Sequence, residues 1–529
     1  MMNAGEKASM EGESTMLINQ QMVEKAEKLI PSLQSKEVEV QDIIEVIADD
    51  ASFQGWRIMQ SMTPQVWKEQ SYGKGDSFNV DFGDHYVGYV KLAIRSVGSP
   101  PDAPLKLKLT FGEMPCEIAE PFESYEGWLS SSWLQEELIF VDVLPAEIKL
   151  PRRYCFRYIK VEVLDTSVKY KVAFDYINCD AVTSGDISKV TALTPSLSQD
   201  IVEMDRIAIK TLQDCMQTVF EDGPKRDRRL WIGDLRLQAQ ANYYTFQNND
   251  LVKRCLYLFA GMRLEDGTVG ACVFEKPYAH VDDTKLYDYA LFFVAVLHDY
   301  YEATQDMDTL QELWPIALEQ LEIGLSRLDV RGIVTDDSTW WCFTDWHDEL
   351  NKQASAQAVL IYCLKHGREL ASIIGKTEQL KFITENIDFT SNASMQYLWD
   401  EKAGFFVSGE ERQISWASQI WMALAEVLPS KQNSLLLTRL FEDSPSIGMT
   451  TPYLYHHLIE ALFLVGNKEQ AIAEMKAYWG AMMQDGADTF WELYNPNDKK
   501  LSPYGSNLIN SYCHAWSCTP TYFIRKYLI

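Results

Sequence analysis

The sequence predicts a multidomain β + α chain, an N-terminal β-sandwich within residues 1–192 followed by an (α/α)6 barrel over 193–529. Three observations carry that expectation. The apolar period is two before residue 190 and three to four after 195. The second part holds about a dozen amphipathic stripes, with long and short connections alternating between them. No 34- or 40-residue repeat is visible, which weakens a solenoid of helical hairpins.

Residues 5–15, GEKASMEGEST, read as a mobile tail, and IIEVIADDASFQGWRIMQ fits either a strand or a short helix. From about 75 to 190, SFNVDFGDHYVGYVKLAIRSV, APLKLKLTFGEM and RRYCFRYIKVEVLD alternate apolar and polar residues, with turn clusters such as GSPPDAP between them. Short strands with this punctuation suggest a sandwich. Beyond 195, Ile201, Met204, Ile207, Ala208, Leu212, Cys215 and Val219 form the first helical stripe. Further stripes follow, the last being SNLINSYCHAWSCTPTYFIRKYL. The long loops, rich in aromatic residues, are 262–285, 329–351, 400–414 and 485–505. In an (α/α)6 barrel such loops gather at one end and build a site.

Composition narrows the partners. The chain has 529 residues, with 48 basic against 76 acidic side chains and a formal charge of −28. That balance opposes phosphate backbones and anionic membranes and leaves a neutral or cationic small molecule as the easier ligand. The N-terminus lacks a signal-peptide core and no stretch is long and apolar enough to span a membrane, so a cytoplasmic protein is expected. Ten cysteines stand singly without a CxxC pair, which suits reduced, buried thiols.

Residues 222–234, DGPKRDRRLWIGD, place three aspartates, three arginines, a lysine and a tryptophan in a loop between the first two stripes. Taken alone, a charged loop is most simply a solvated turn. Trp231, however, offers a flat ring to a sugar's apolar face. Asp222, Asp227 and Asp234 can converge, and Arg226, Arg228 and Arg229 can hold one of them ionised while burial keeps another protonated. Two carboxyl groups with separated pKa values are what glycosidic cleavage needs. GADTFWELYNPND, 486–498, offers Glu492 as the partner, with Trp491 as a substrate-binding candidate beside it.

These residues resemble glycoside hydrolase family 78, the α-L-rhamnosidases. The family's D-C-P-x-R-E-R-x-x-W-x-G-D loop is similar to DGPKRDRRLWIGD without a gap, its G-A-T-T-x-W-E to GADTFWE, and its sandwich to NVDFGDHYVGYVKL and FRYIKVEV. The resemblance runs from about residue 75 to the C-terminus and implies an inverting exo-glycosidase, its carboxyl pair about 6.5 to 9.5 Å apart. It makes Glu492 the general base and puts Asp227 at the general acid, where the family has Glu; Asp222 is the alternative acid. Asp222, Arg226, Trp231 and Asp234 fall on residues lining the rhamnose pocket. Gly223 stands where the family has Cys, and Asp488 where it has Thr.

Weaker substrate-binding candidates are Trp340, Trp341 and Trp346 as aromatic walls, Asp345 as a hydroxyl acceptor, Asp288 ahead of Asp282 and Asp283, and His514 in SYCHAWS. The spacing of a calcium loop is absent, as are a phosphate-cradling glycine loop and a GxSxG elbow. The expected substrates are small rhamnosides, with no metal or organic cofactor and no nucleic acid or membrane partner. The oligomeric state stays open, a homodimer among the alternatives. Two rivals remain: another inverting (α/α)6 enzyme such as an unsaturated uronyl hydrolase, and a sugar-binding protein without catalysis.

Overall fold

The computed structural model describes residues 16–194, 196–335 and 341–529. The expected tail at 5–15 and Trp340 lie outside the described residues.

The ambiguous stretch before residue 70 forms the antiparallel hairpin Asp42–Ala48 and Trp56–Met62. With seven other strands it makes one nine-stranded antiparallel sheet. The strand Ser77–Gly98 organises it, pairing with Tyr154–Asp165, Tyr170–Thr183, the hairpin and Ala146–Lys149 along its length. The expected sandwich is therefore a single hydrogen-bonded sheet around one core, because a strand of 22 residues is long enough to serve four partners. Its register breaks between Asp81 and Tyr86, where Gly83 takes φ +80°. Phe78, Val80, Phe82, Val90, Leu92 and Ile94 alternate into that core, whereas His85 meets the helical domain.

Twelve helices between Gln199 and Tyr527 form six hairpins among the described residues. The first helix of each hairpin is outer and buries one stripe, as Gln199–Cys215 does with Ile201, Met204, Ala208 and Leu212. The second is inner. Ile232–Tyr243 and Trp416–Leu424 are buried on nearly every side, and Tyr287–Thr304, Gln353–Ile373 and Pro452–Leu464 are close to it. Connections after inner helices are short, such as 305–306 and 465–467. Five of the six connections before them are long, 216–231, 262–286, 326–352, 394–415 and 485–519, and the sixth is 444–451. Every long loop therefore opens at the same end, over the N-termini of the inner ring, whose partial positive charge favours carboxylates there.

Two segments depart from the sequence expectation. Met16–Ile18 pairs with Met262–Leu264, and the helix Gln20–Lys28 packs on Asn249–Gly261, where Arg254 donates to the Ala26 carbonyl at 2.6 Å. These N-terminal residues thus belong to the barrel's packing and not to the sheet's. The closing stripe is α-helical only over Pro520–Tyr527, with single 3-10 turns at Asn507–Ile509 and Ala515–Ser517. The carbonyls of Leu508, Ile509, Asn510 and Ser511 instead accept hydrogen bonds from the two site loops, which a continuous helix would forbid. Among the described residues no helix is long and apolar enough to cross a membrane.

Candidate active site

The loop 222–231 is held closed by its own backbone. Asp222 N donates to Arg229 O at 3.0 Å, Arg229 N returns to Asp222 Oδ1 at 3.0 Å, and Arg228 turns the chain at φ +60°. A Cβ on Gly223 would stand 2.8 Å from Arg226 O and 2.9 Å from Ser511 Oγ, so the glycine that departs from the family pattern fits a crowded position. Leu230–Trp231 then pairs with Cys272–Phe274, and the inner helix Ile232–Tyr243 starts with Asp234 in its first turn. Gly233 lets the Tyr289 ring lie against that turn; a Cβ there would be 2.4 Å from the ring.

Glu492 arrives from 485–519. Its backbone N–H donates to Ser511 O at 3.1 Å, and Trp516 Nε1 donates to its carbonyl at 2.9 Å. Arg226 Nη2 donates to its Oε2, and the Tyr504 hydroxyl donates to Oε1 at 2.6 Å. Arg226 Nη1 lies 4.0 Å from Asp227 Oδ1, so one guanidinium stands between the two carboxylates. Its Nε donates to Ile509 O at 2.8 Å, and its plane lies 4.2 Å over the Tyr504 ring, which fixes it. Asp227 is the outward member, with a side chain 25% exposed against 6% for Glu492.

Electrostatics separate the carboxyl groups. Burial, then the charges of Asp227 and Asp234, push the Asp222 carboxyl well above the usual range. Burial, then Glu492, does the same to Asp234, whose Oδ1 has no hydrogen-bond partner. Burial thus biases both carboxyl groups toward the protonated form. His514 lies between Asp234 Oδ1, 3.6 Å from its Nδ1, and Glu492 Oε1, 3.7 Å from its Nε2. Burial, then Arg226, pushes its imidazole down to about 3, so it is neutral. It sits on extended backbone, not on the helix its sequence suggests.

The structure thus brings Asp222, Arg226, Asp227, Asp234, Glu492 and His514 together. Trp231 is half-buried beside them, edge-on to Tyr289 at 6.3 Å. Trp346 packs on Phe343, Tyr504 and Trp516 and so borders the same ring cluster. Three expectations are corrected. Trp491 is fully buried and stacks on Phe53 at 3.9 Å, because the hairpin turn of the β domain plugs onto the Glu492 loop. Asp345 is fully buried and spends its oxygens on Thr450 and Thr451, at the start of an inner helix. Asp288 likewise accepts from Phe343 N and Thr344 N, both at 3.0 Å, fixing the loop above it. Trp341 lies 50% exposed under Lys352, and Asp282 accepts from Cys272 and Thr284.

Sequence reasoning missed the support beneath the loop. Lys225 is 1% exposed and donates to Glu117 Oε1 of the β domain at 2.5 Å, to Leu508 O at 3.0 Å and to Asn510 O at 2.7 Å. Glu113 accepts from Tyr512 N at 2.8 Å and meets His85, whose other nitrogen meets Asp214 at 2.6 Å. Asp488, the second departure from the family pattern, pairs with Arg157 of the sheet at 3.2 Å. A helix-initiating PCEIA after a strand carries no local mark of such a partner. His85 also has ligand-like spacing with Glu113 and Cys155, and with Asp214 and Cys513. None of the described groups with that spacing includes Asp222, Asp227, Asp234 or Glu492.

Known proteins match both domains. The glycosyl hydrolase family 78 α-rhamnosidase N-terminal domain matches residues 40–181, and the bacterial α-L-rhamnosidase six-hairpin glycosidase domain matches 195–528. A rhamnosidase from Klebsiella oxytoca, solved with rhamnose bound, is similar at 50% identity and a TM-score of 0.95, over 97% of this chain and 100% of its own. The family 78 rhamnosidase of Bacillus sp. GL1 shares the fold at 20% identity and a TM-score of 0.74, over 89% of this chain and 49% of its own. The α-L-rhamnosidase of Streptomyces avermitilis shares it at 15% and 0.66, over 94% of this chain and 44% of its own. A search of curated proteins gives no match. With both of its domains matched in order, the chain belongs to glycosyl hydrolase family 78, the α-L-rhamnosidases.

Proposed function

We propose that this α-L-rhamnosidase removes terminal L-rhamnose from small rhamnosides with inversion, Glu492 acting as general base and Asp227 as general acid. The observation that carries the reading is the Arg226 guanidinium standing between those two carboxylates, one buried and one partly exposed. Glu492 takes a proton from water, whose oxygen attacks the anomeric carbon from the face opposite the aglycone. Asp227 gives its proton to the glycosidic oxygen as that carbon–oxygen bond breaks. Asp222 and Asp234 hydrogen-bond to sugar hydroxyls, and neutral His514 accepts or donates beside them. Asp222, Asp234 and Glu492 are each under 5% exposed, which supports chemistry shielded from bulk water. The ten free, buried thiols support a reducing compartment, hence the cytoplasm.

A second reading makes Asp222 the acid, favoured by its raised pKa. Proton NMR of a 4-nitrophenyl α-L-rhamnoside digest, with Asp227→Asn, Asp222→Asn and Glu492→Gln, tests both. β-Rhamnose should form first, and Asp227→Asn and Glu492→Gln should each lose at least 100-fold in kcat, the scale of general acid–base catalysis. Full activity in Asp227→Asn would transfer the acid role to Asp222, and first-formed α-rhamnose would exclude inversion. Rapid release from intact polysaccharide would remove the restriction to small substrates.

A further inference from the structure

Two inner helices, Tyr287–Thr304 and Gln353–Ile373, pack against each other along the barrel axis. His298 stands ten residues beyond Asp288 in the first of them, about 15 Å farther from the long loops and toward the short connections. His366 and Glu369 face it from the closing turns of the second, three positions apart and so on one side of that helix. His298 Nε2 lies 2.8 Å from Glu369 Oε2, and the two imidazole rings are 4.3 Å apart between centroids. Both nitrogens of His366 are buried with no hydrogen-bond partner among the described residues. One ligand atom from each of His298, His366 and Glu369 falls within 4.8 Å of the others.

A buried imidazole with neither nitrogen satisfied costs stability unless something takes its lone pair. The surroundings favour a cation. His298 Nδ1 faces Asp299 Oδ1 at 3.5 Å, and Asp299 is itself held by Gln240 Nε2 at 3.1 Å and Arg236 Nε at 3.4 Å. A carboxylate behind Nδ1 leaves Nε2 to serve as the ligand, the carboxylate–histidine–metal arrangement. Glu369 keeps 55% of its side chain exposed, which gives an ion a way in and the carboxylate room to move. Two ligand atoms about 2.1 Å from a tetrahedral ion stand about 3.4 Å apart, so the 2.8 Å pair opens by about 0.6 Å. The other groups of such spacing suit an ion less well. His85 already has both nitrogens against carboxylates, with every member of its groups buried. His457 gives Nδ1 to Tyr453 O, and the Arg236 guanidinium faces its Nε2.

We propose that His298, His366 and Glu369 form a site for a divalent ion of the zinc class, with water in the fourth position, that ties two neighbouring hairpins of the barrel together. Two imidazoles and one carboxylate are a donor set that such an ion accepts. The site lies away from the catalytic carboxylates, so the ion takes no part in the hydrolysis.

The test uses tag-free full-length protein, dialysed against EDTA and then titrated with Zn²⁺ alone. Wild type should bind the ion saturably, in about equimolar amount, and unfold about 2–4 °C higher once loaded. Glu369→Gln, at an exposed position, should fold as wild type does, weaken Zn²⁺ binding at least ~10-fold and lose the thermal shift. His366→Ala should lose both as well. Turnover of 4-nitrophenyl α-L-rhamnoside should stay within about twofold of the metal-free value on loading. Wild type that shows no saturable binding overturns the site, as does an affinity or thermal shift that Glu369→Gln leaves unchanged. A loss of turnover on loading that Glu369→Gln shares in full would put the ion at the catalytic carboxylates and overturn the assignment.

Discussion

Replacing Lys225 by Met tests whether the β domain holds the catalytic loop in register. The side chain is fully buried, its ammonium shared between the Glu117 carboxylate and the carbonyls of Leu508 and Asn510. Methionine keeps the stem and removes the charge. Breaking a buried ion pair from one side costs about 3–5 kcal/mol, and each stranded buried carbonyl adds about 1–3 kcal/mol unless water reaches it. Protonation of Glu117 limits the loss, since burial already raises its carboxyl to about 7 with Lys225 beside it. The expected loss is therefore about 3–5 kcal/mol, read as a lower denaturation midpoint. Because Lys225 precedes Arg226 and Asp227 and grips the segment that supports Glu492, kcat should also fall about 100-fold, the scale for a displacement of about 1 Å. Lys225→Met/Glu117→Gln removes the orphaned carboxylate and should recover part of the stability without recovering kcat. A single variant that loses under about 1 kcal/mol, or a double variant whose losses simply add, would refute the reasoning.

Two further outcomes follow from the same site. Gly223→Ala puts a Cβ within 2.8 Å of a backbone oxygen, so it should destabilise by about 1–3 kcal/mol and depress kcat; wild-type turnover with an unchanged midpoint would contradict the crowding. His514 has its pKa lowered to about 3 in the folded chain, against about 6.5 unfolded, so its stability contribution is present above pH 6.5 and is lost as pH falls toward 3. His514→Asn should flatten that acid slope in denaturation curves from pH 6.5 to 3, though His366, His456 and His457, also shifted down, keep part of it.

The sequence by itself determined what local periodicity and motif spacing encode. A stripe at three- and four-residue steps, as at Ile201–Val219, buries one face whatever it packs on, so the helical barrel and its long loops were legible. DGPKRDRRLWIGD and Glu492 stood out because both segments resemble the family's motifs, in the same order and without a gap, whereas taken alone each reads as a solvated loop. Tertiary structure alone decided which carboxylates keep free oxygens. Asp288 and Asp345 looked like sugar acceptors, but backbone N–H groups and threonines from other loops already occupy them. Trp491 looked like a substrate contact until Phe53 arrived from a domain more than 400 residues away in sequence. Nothing near Lys225 in the sequence pointed to Glu117, which meets it across the domain interface. Hydrogen-bond satisfaction and burial depend on partners distant in the chain, and those partners leave no mark on the spacing of the residues they neutralise.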